Sequence, residues 1–277
     1  MFENFFKNYN DDSFEAIILV QAIWGMGHCS TYGDMSAGML AIHKSDGSLI
    51  DGKLRLSWPV ALDQSKQAFK LFKPLGIYKV RLSSHKIDPD EQDKNLQAYW
   101  ANDYCLREVL QENIADAALE DIAREFKREI SFVDPKFGKL ILDKDMEQYT
   151  SHIALENLEF ILYLELDAQD KPSCQQSLHW AQQLLLEPQL CDSQLRAYAA
   201  KELLENAREW QDDASESEEQ ELDEKSFIER IELSELSVAA DGSFSAFYDD
   251  GDLFYGHVII IEGQVPNLKL EDAYIAG

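Results

Sequence analysis

The segment Tyr248–Gly263, YDDGDLFYGHVIIIEG, crowds three aspartates around one glycine and sets a histidine five residues after the last of them. Carboxylates and an imidazole at that spacing are the parts of an acid/base dyad, with His257 working beside Asp252 or Asp250 as a hydrolase would use them. The same residues also spell a hairpin turn. Glycine supplies a positive φ, and aspartate tolerates the left-handed region while hydrogen-bonding nearby amides. On that reading Leu253–Glu262 is a strand, and His257 lies in it with Tyr255 and Ile259 on the same face, as a neutral core residue. A calcium loop needs acids at alternate positions and a closing glutamate. DDGDLFYGHVII has neither, so no metal site is assigned. The turn is the expectation, and the dyad is its alternative.

Other chemistry is sparse. GMGHCSTYG contains a lone Gly25-x-Gly27 after a strand-like run, without the third glycine or the helix of a dinucleotide fingerprint. It is expected to be a glycine-rich connecting loop. No P-loop, nucleophile elbow or His-Glu-x-x-His occurs, and no cofactor is assigned. The four cysteines, Cys29, Cys105, Cys174 and Cys191, form no Cys-x-x-Cys pair. They are expected to be free thiols buried as small hydrophobes, with Cys29 the one candidate nucleophile.

Charge is the strongest bulk signal: 52 acidic against 25 basic residues, a formal net charge of −27. Residues 1–130 carry 20 acidic and 15 basic side chains, whereas residues 131–277 carry 32 and 10. The second half would repel phosphates and anionic lipid heads, so neither nucleic acid nor membrane is expected as a partner. It would attract and steer basic proteins. Residues 211–224, QDDASESEEQELDE, hold eight acids and no base and are expected to form an exposed loop. Asp212, Asp213, Glu216, Glu218, Glu219 and Glu221 are its candidate contacts for a basic protein surface. The chain has no apolar run of about 18 residues, and MFENFFKNYNDD lacks the basic and apolar regions of a secretory signal. The expected location is cytoplasmic.

The elements that must position these residues follow from periodicity. Glu15–Trp24 reads as a buried strand, Ser45–Ser48 as an Asp-Gly hairpin turn, and Leu49–Trp58 and Ile77–Leu82 as strands. Tyr104–Glu129 carries Leu106, Val109, Leu110, Ile114, Ala117, Ile122 and Phe126 as an apolar stripe, which predicts one long helix capped by Asp103. Strands are predicted at Phe137–Leu142, Gln148–Leu155 and Leu158–Leu166. Helices are predicted over Ser173–Leu186, stopped by Pro188, and over Asp192–Trp210, with a short third one capped by Asp223 and running to Ile231. A meander of Leu233–Ala239, Ser243–Tyr248 and Leu253–Glu262 closes the chain, and a last strand is expected at Ala273–Ala276. Runs of strands separated from runs of helices give an α+β class with an antiparallel sheet. Two domains are expected: residues 1–130, β-rich and ending in the long helix, and residues 131–277, α+β with the acidic loop 211–224.

FSAFYDDGDLFYGHVIIIEG, with the closing AYIAG, resembles the end of an uncharacterised bacterial family, domain of unknown function 2262. Phe247, Asp249, Gly251, Asp252, Leu253, Phe254, Gly256, His257 and Ile259 match its pattern, and KELLENAREW and KSFIERIELSEL fit as well. The resemblance spans about residues 131–277. Departures are the acidic insert 211–224 and Tyr255, where the pattern has tryptophan. The resemblance supports the domain division and implies no activity. Related domains look similar to immunity-type proteins of bacterial toxin systems, which suggests a non-catalytic module neutralising a basic partner.

Overall fold

A computed structural model describes residues 2–29, 31–89, 92–168, 172–212 and 222–277. The chain folds as two units, Met1–Arg128 and Glu129–Gly277. No helix among the described residues is long and apolar enough to cross a membrane.

In the first unit, strands β1 (Phe14–Cys29), β2 (Tyr32–Lys44), β3 (Leu49–Val60), β4 (Ile77–Ser84) and β5 (Asp103–Glu112) close a barrel in the order β1-β2-β3-β5-β4. β4 pairs back onto β1, and β3 and β5 run parallel while the other pairs are antiparallel. This is the strand order of an OB-type barrel. Short helices α1 (Glu3–Phe6) and α2 (Ser65–Ala68) precede β1 and follow β3. Helix α3 (Lys94–Ala101) joins β4 to β5, and α4 (Ala117–Lys127) follows β5. Alternation explains the inside of the barrel: Leu54, Leu56, Trp58 and Val60 of β3 enter the core with Ile18, Val20, Met35, Met39, Val80 and Leu82. The SDGS turn forms as expected, with Asp46 Oδ1 accepting from the Ser48 amide (2.9 Å) and hydroxyl (2.6 Å).

Two expectations for this unit are corrected. Gly25–Gly38 is not a connecting loop: β1 and β2 continue through it, pairing Gly27 with Asp34 and His28 with Gly33. Its glycines serve cross-strand packing, since a Cβ on Gly33 would collide with Met26 Sδ. The predicted helix over Tyr104–Glu129 is a strand followed by an 11-residue helix. Leu82 pairs with Leu106 and Arg81 with Glu108, so Arg107 is an extra residue bulged out of the ladder. The bulge puts Leu106 and Val109, three apart, against the same core, and so imitates helical spacing. Asp103 accordingly caps nothing. It is a buried strand residue that accepts from the hydroxyls of Tyr9 (2.9 Å) and Ser57 (3.1 Å). The cap of α4 is Asp116, which accepts from the Leu119 amide (3.1 Å) and holds His43 Nδ1 at 2.6 Å.

The second unit is one eight-stranded sheet. Four strands, β6 (Ser131–Asp134), β7 (Gly138–Asp143), β8 (Gln148–Leu155) and β9 (Leu158–Glu165), precede the helices α5 (Gln175–Leu184), α6 (Pro188–Asp212) and α7 (Glu224–Arg230). Four more, β10 (Glu232–Val238), β11 (Ser243–Asp249), β12 (Val258–Gln264) and β13 (Lys269–Ala276), follow them. The order is β13-β12-β11-β10-β9-β8-β7-β6. Every pair is antiparallel except β9–β10, which the helical crossover makes parallel. Pro188 starts α6 instead of merely ending its predecessor, in keeping with proline's fitness for a first helical turn. Cys191, Leu195, Ala199, Leu203 and Ala207 then repeat every four residues and bury one helix face against Leu236, Phe244, Tyr248 and Ile261 of the sheet. Asp223 caps α7 as expected, accepting from the Ser226 amide at 2.7 Å.

Asp192, where the sequence places the start of this helix, lies inside α6 and is buried. Its Oδ1 accepts from the fully buried Tyr248 hydroxyl (2.9 Å), and its Oδ2 from Arg196 Nε (2.7 Å). Arg196 also donates through Nη1 to the carbonyls of Ile228 (3.1 Å) and Ile231 at the end of α7. One carboxylate thus fastens α6 to β11 and, through the arginine, to α7. Replacing Asp192 with alanine leaves a half-buried guanidinium without its carboxylate and a buried phenol without its acceptor, and is expected to cost about 3 kcal/mol. Urea denaturation monitored by circular dichroism checks this; a loss below about 1 kcal/mol would show that the network is dispensable.

The His43–Asp116 contact gives a pH signature. Burial raises the Asp116 carboxyl, but the hydrogen bonds from His43 and the Leu119 amide outweigh it and hold the group below its ordinary range. A depressed folded-state value means that Asp116 stabilises the first unit fully above the unfolded value of about 3.9, and that this contribution fades as pH falls through the folded value. The stability difference between the native chain and Asp116→Asn is therefore expected to be constant just above that range and to shrink below pH of about 4. Thermal melts of both proteins across that range test it.

Candidate functional site

The opening aspartates form a loop at the end of β11, and each does something different. Asp250 is buried, and its carboxylate accepts three backbone amides: Asp252 (3.1 Å), Phe254 (2.6 Å) and Gly256 (3.0 Å). Asp249 and Asp252 are exposed. The chain turns through four consecutive-region residues at positive φ, namely Gly251 (+55°), Asp252 (+63°), Tyr255 (+55°) and Gly256 (+83°). Gly251 has no substitute, because a Cβ there would strike the Arg230 carbonyl, while Arg230 donates through Nε (3.0 Å) and Nη2 (2.6 Å) to the Gly251 carbonyl. The turn expected from the sequence is therefore present, wound about one inward carboxylate.

The strand expected over Leu253–Glu262 begins only at Val258. Leu253 and Phe254 are buried as parts of the loop, and His257 is a half-buried loop residue. Its Nδ1 donates to the Phe254 carbonyl at 2.6 Å. The ring meets Trp210 edge-on at 5.2 Å, and the Gly277 backbone lies so close that a Cβ there would sit 2.6 Å from His257 Cδ2. Trp210, near the end of α6, also packs edge-on against Phe254 (5.5 Å) and stacks with Tyr255 (5.6 Å), whose hydroxyl donates to the Trp210 carbonyl (2.8 Å). The loop is an aromatic clasp on the end of α6. Among the described residues, no hydrogen bond joins His257 to Asp250 or Asp252, and no group of three His, Cys, Asp or Glu is placed to hold a metal ion.

This loop closes the region where the chain can be placed among known proteins. Residues 134–275, half of the chain, match the family described as an uncharacterised protein conserved in bacteria, DUF2262. The chain belongs to the DUF2262 family. Residues 1–126 match a second domain of unknown function, DUF7021. A comparison with curated proteins found no match. Gly251, Leu253, Phe254, Gly256 and His257, on which the resemblance was read, shape the clasp. Asp250, whose carboxylate organises it, was not among those residues.

The other candidates divide by location. Asp213, Glu216, Glu218, Glu219 and Glu221 lie outside the described residues, and Asp212 is the last residue of α6. Cys105, Cys174 and Cys191 are buried, and burial pushes each thiol up to about 12, too high for a nucleophile at neutral pH. Cys29 is exposed instead of buried, at the end of β1.

One feature of the DUF2262 unit escaped the sequence reading. Helices α5, α6 and α7 cover one face of the sheet, so the alternate residues of each strand form the other. On that face Ile161, Tyr163, Phe247, Val258 and Ile260 are half-exposed. The register sets them among Glu159, Glu165, Glu232, Glu235, Asp249 and Glu262: Glu235 pairs with both Ile161 and Phe247, Asp249 with Glu232 and Val258, and Phe247 with Ile260. Strands β8 to β12 contain no lysine or arginine. Lysines occur only toward the sheet margins, each paired with a glutamate: Lys139 with Glu129 (2.7 Å) and Lys269 with Glu271 (2.6 Å). The alternation is legible in ELSELSV and LEFILYLE, but only the sheet order shows that their acids share one face.

Asp250→Ala strips three amides of their shared acceptor and is expected to destabilise the second unit by about 2 kcal/mol. Asp252→Asn keeps the left-handed turn and exposes nothing new, so its melting temperature is expected to match the native chain. Equal effects of the two substitutions would contradict the assignment of Asp250 as the organising carboxylate.

Proposed function

We propose that this chain is a non-catalytic, acidic protein-binding module that receives a basic partner on the open sheet face of its DUF2262 unit. The observation that carries the reading is the composition of that face: six acids interleaved with five apolar side chains over strands that hold no lysine or arginine. A surface of this kind offers apolar area for contact and a negative field for steering, and it disfavours acidic partners by like-charge repulsion. The commitment of Asp250 to three amides and of His257 Nδ1 to a carbonyl supports a structural role for the loop over an acid/base role. Neutralisation of the partner, by occupying its basic working surface, is the role that fits such a module.

The test uses the full chain and an amphipathic peptide of alternating leucine and lysine as the basic probe, titrated by calorimetry. Glu235→Lys with Glu262→Lys is expected to weaken binding about tenfold, and the native affinity is expected to fall as salt rises. The control makes the same charge change elsewhere, at the exposed Glu120 and Asp121 of α4, and is expected to weaken binding less than about twofold. Equal losses in the two variants would mean that net charge alone attracts the peptide, and the proposal would fail.

A further inference from the structure

On the open sheet face of the DUF2262 unit, the register sorts apolar side chains from acids. Ile161 on β9, Glu235 on β10, Phe247 on β11, Ile260 on β12 and Tyr274 on β13 are successive partners, so they form one row that crosses five strands. All but Glu235 are large and apolar or aromatic, and Tyr274 is 37% exposed. On one side of the row stand Glu159, two residues before Ile161, and the paired Glu232 and Asp249. On the other side stand the paired Glu262 and Asp272. Between Tyr163 and Glu262 that flank holds only Ser237 and Ser245, short side chains that leave room for the stem of a lysine or arginine. Among the described residues, the carboxylates of Glu159, Glu232, Glu235 and Asp249 have no hydrogen-bond or ion-pair partner.

The spacing of the row selects the shape that can cover it. Neighbouring strands lie about 4.8 Å apart, so five strands span about 19 Å along the row. Side chains on one face of an α-helix recur once per turn, about every 5.4 Å. Those on one face of an extended segment recur about every 6.7 Å and lose step with the strands after two of them. A helix of about 13 residues laid along the row therefore sets one side chain on each strand.

We propose that this row docks a basic amphipathic α-helix, which lies across β9 to β13 with its apolar stripe on Ile161, Phe247, Ile260 and Tyr274 and with lysines or arginines on both flanks. This helix is the contacting element of the basic partner proposed above, and its docking stands only if that proposal does. Helices enter apolar surfaces through anchors at i, i+3, i+4 and i+7, and here the acids on either side match the two basic edges of the helix. Glu235 sets the register. It interrupts the apolar row between Ile161 and Phe247, so the stripe must carry one cation at that point. A stripe without it would cover an unpaired carboxylate and be rejected.

The experiment titrates the full chain with two peptides of about fourteen residues and identical leucine and lysine content. One spaces its leucines at i, i+3, i+4 and i+7 and carries one lysine within the stripe; the other alternates leucine with lysine. Calorimetry reads the affinity, and difference circular dichroism reads helix formed on binding. The helix-period peptide is expected to bind about tenfold tighter than its isomer and to become helical when bound. Phe247→Ser and Ile260→Ser are each expected to weaken it about fivefold, whereas Ile141→Ser, on β7 outside the row, changes it less than about twofold. The isomer comparison uses the native chain, so it stands even if a variant fails to fold. Equal binding of the isomers, tighter binding of the alternating one, no gain of helicity, or indifference to both row substitutions would overturn the helix. If Glu235→Lys with Glu262→Lys still weakens binding in those cases, the face receives basic chains in another form. If binding of neither peptide depends on those two glutamates, the proposed function itself fails, and the helix with it.

Discussion

The second unit hangs on a single carboxylate. Asp192 lies within a helix, where aspartate has a poor propensity, and in a core, where a charge is costly. It is tolerated because a tyrosine hydroxyl and a guanidinium converge on it, and Nη1 of that guanidinium donates to the Ile228 and Ile231 carbonyls at the end of α7. Burial beside that carboxylate pushes the Tyr248 hydroxyl far above its ordinary range, so the phenol stays a donor at any physiological pH. Apolar contacts let the helices slide over the sheet with little change in area. A directional buried network admits one docking, which then places Trp210 at the far end of α6 within reach of the 250–257 loop.

The elements with local causes were readable. SDGS had to turn, Asp223 had to cap, and the strands from Leu233 onward had to form a meander, because turn chemistry and alternation act over a few residues. What failed was decided at longer range. Leu106 and Val109 show helical spacing only because Arg107 is bulged out against β4, and a bulge is visible only when the partner strand is known. Gly25–Gly38 looked like a loop because its glycines admit any backbone, whereas their use is to let Met26 and Trp24 lie across the neighbouring strand. The joining of two four-stranded runs into one sheet depends on the parallel β9–β10 pair, whose members are separated by three helices.

The candidate site was legible to a similar depth. That Asp249–Asp252 would bend the chain followed from composition. Which of three aspartates turns inward did not, since all have the same chemistry and only the arrangement of the Asp252, Phe254 and Gly256 amides chooses Asp250. His257 was expected on a strand and is instead a loop residue wedged against Trp210, a partner some 47 positions away that no local pattern announces.

The sheet of the second unit is open, so each of its two outermost strands has one edge without a strand neighbour among the described residues, an invitation to add further strands from other chains. Each border is defended differently. β6 is only four residues long, too brief to template an extended ladder. β13 is longer, but Glu271 is bulged from its pairing with β12, and Lys269, Glu271 and Asp272 load it with charge. Fibrous stacking through these margins is thereby discouraged at the level of geometry, and the broad acid-bearing surface between them can stay uncovered without drawing copies of the chain into open-ended polymers.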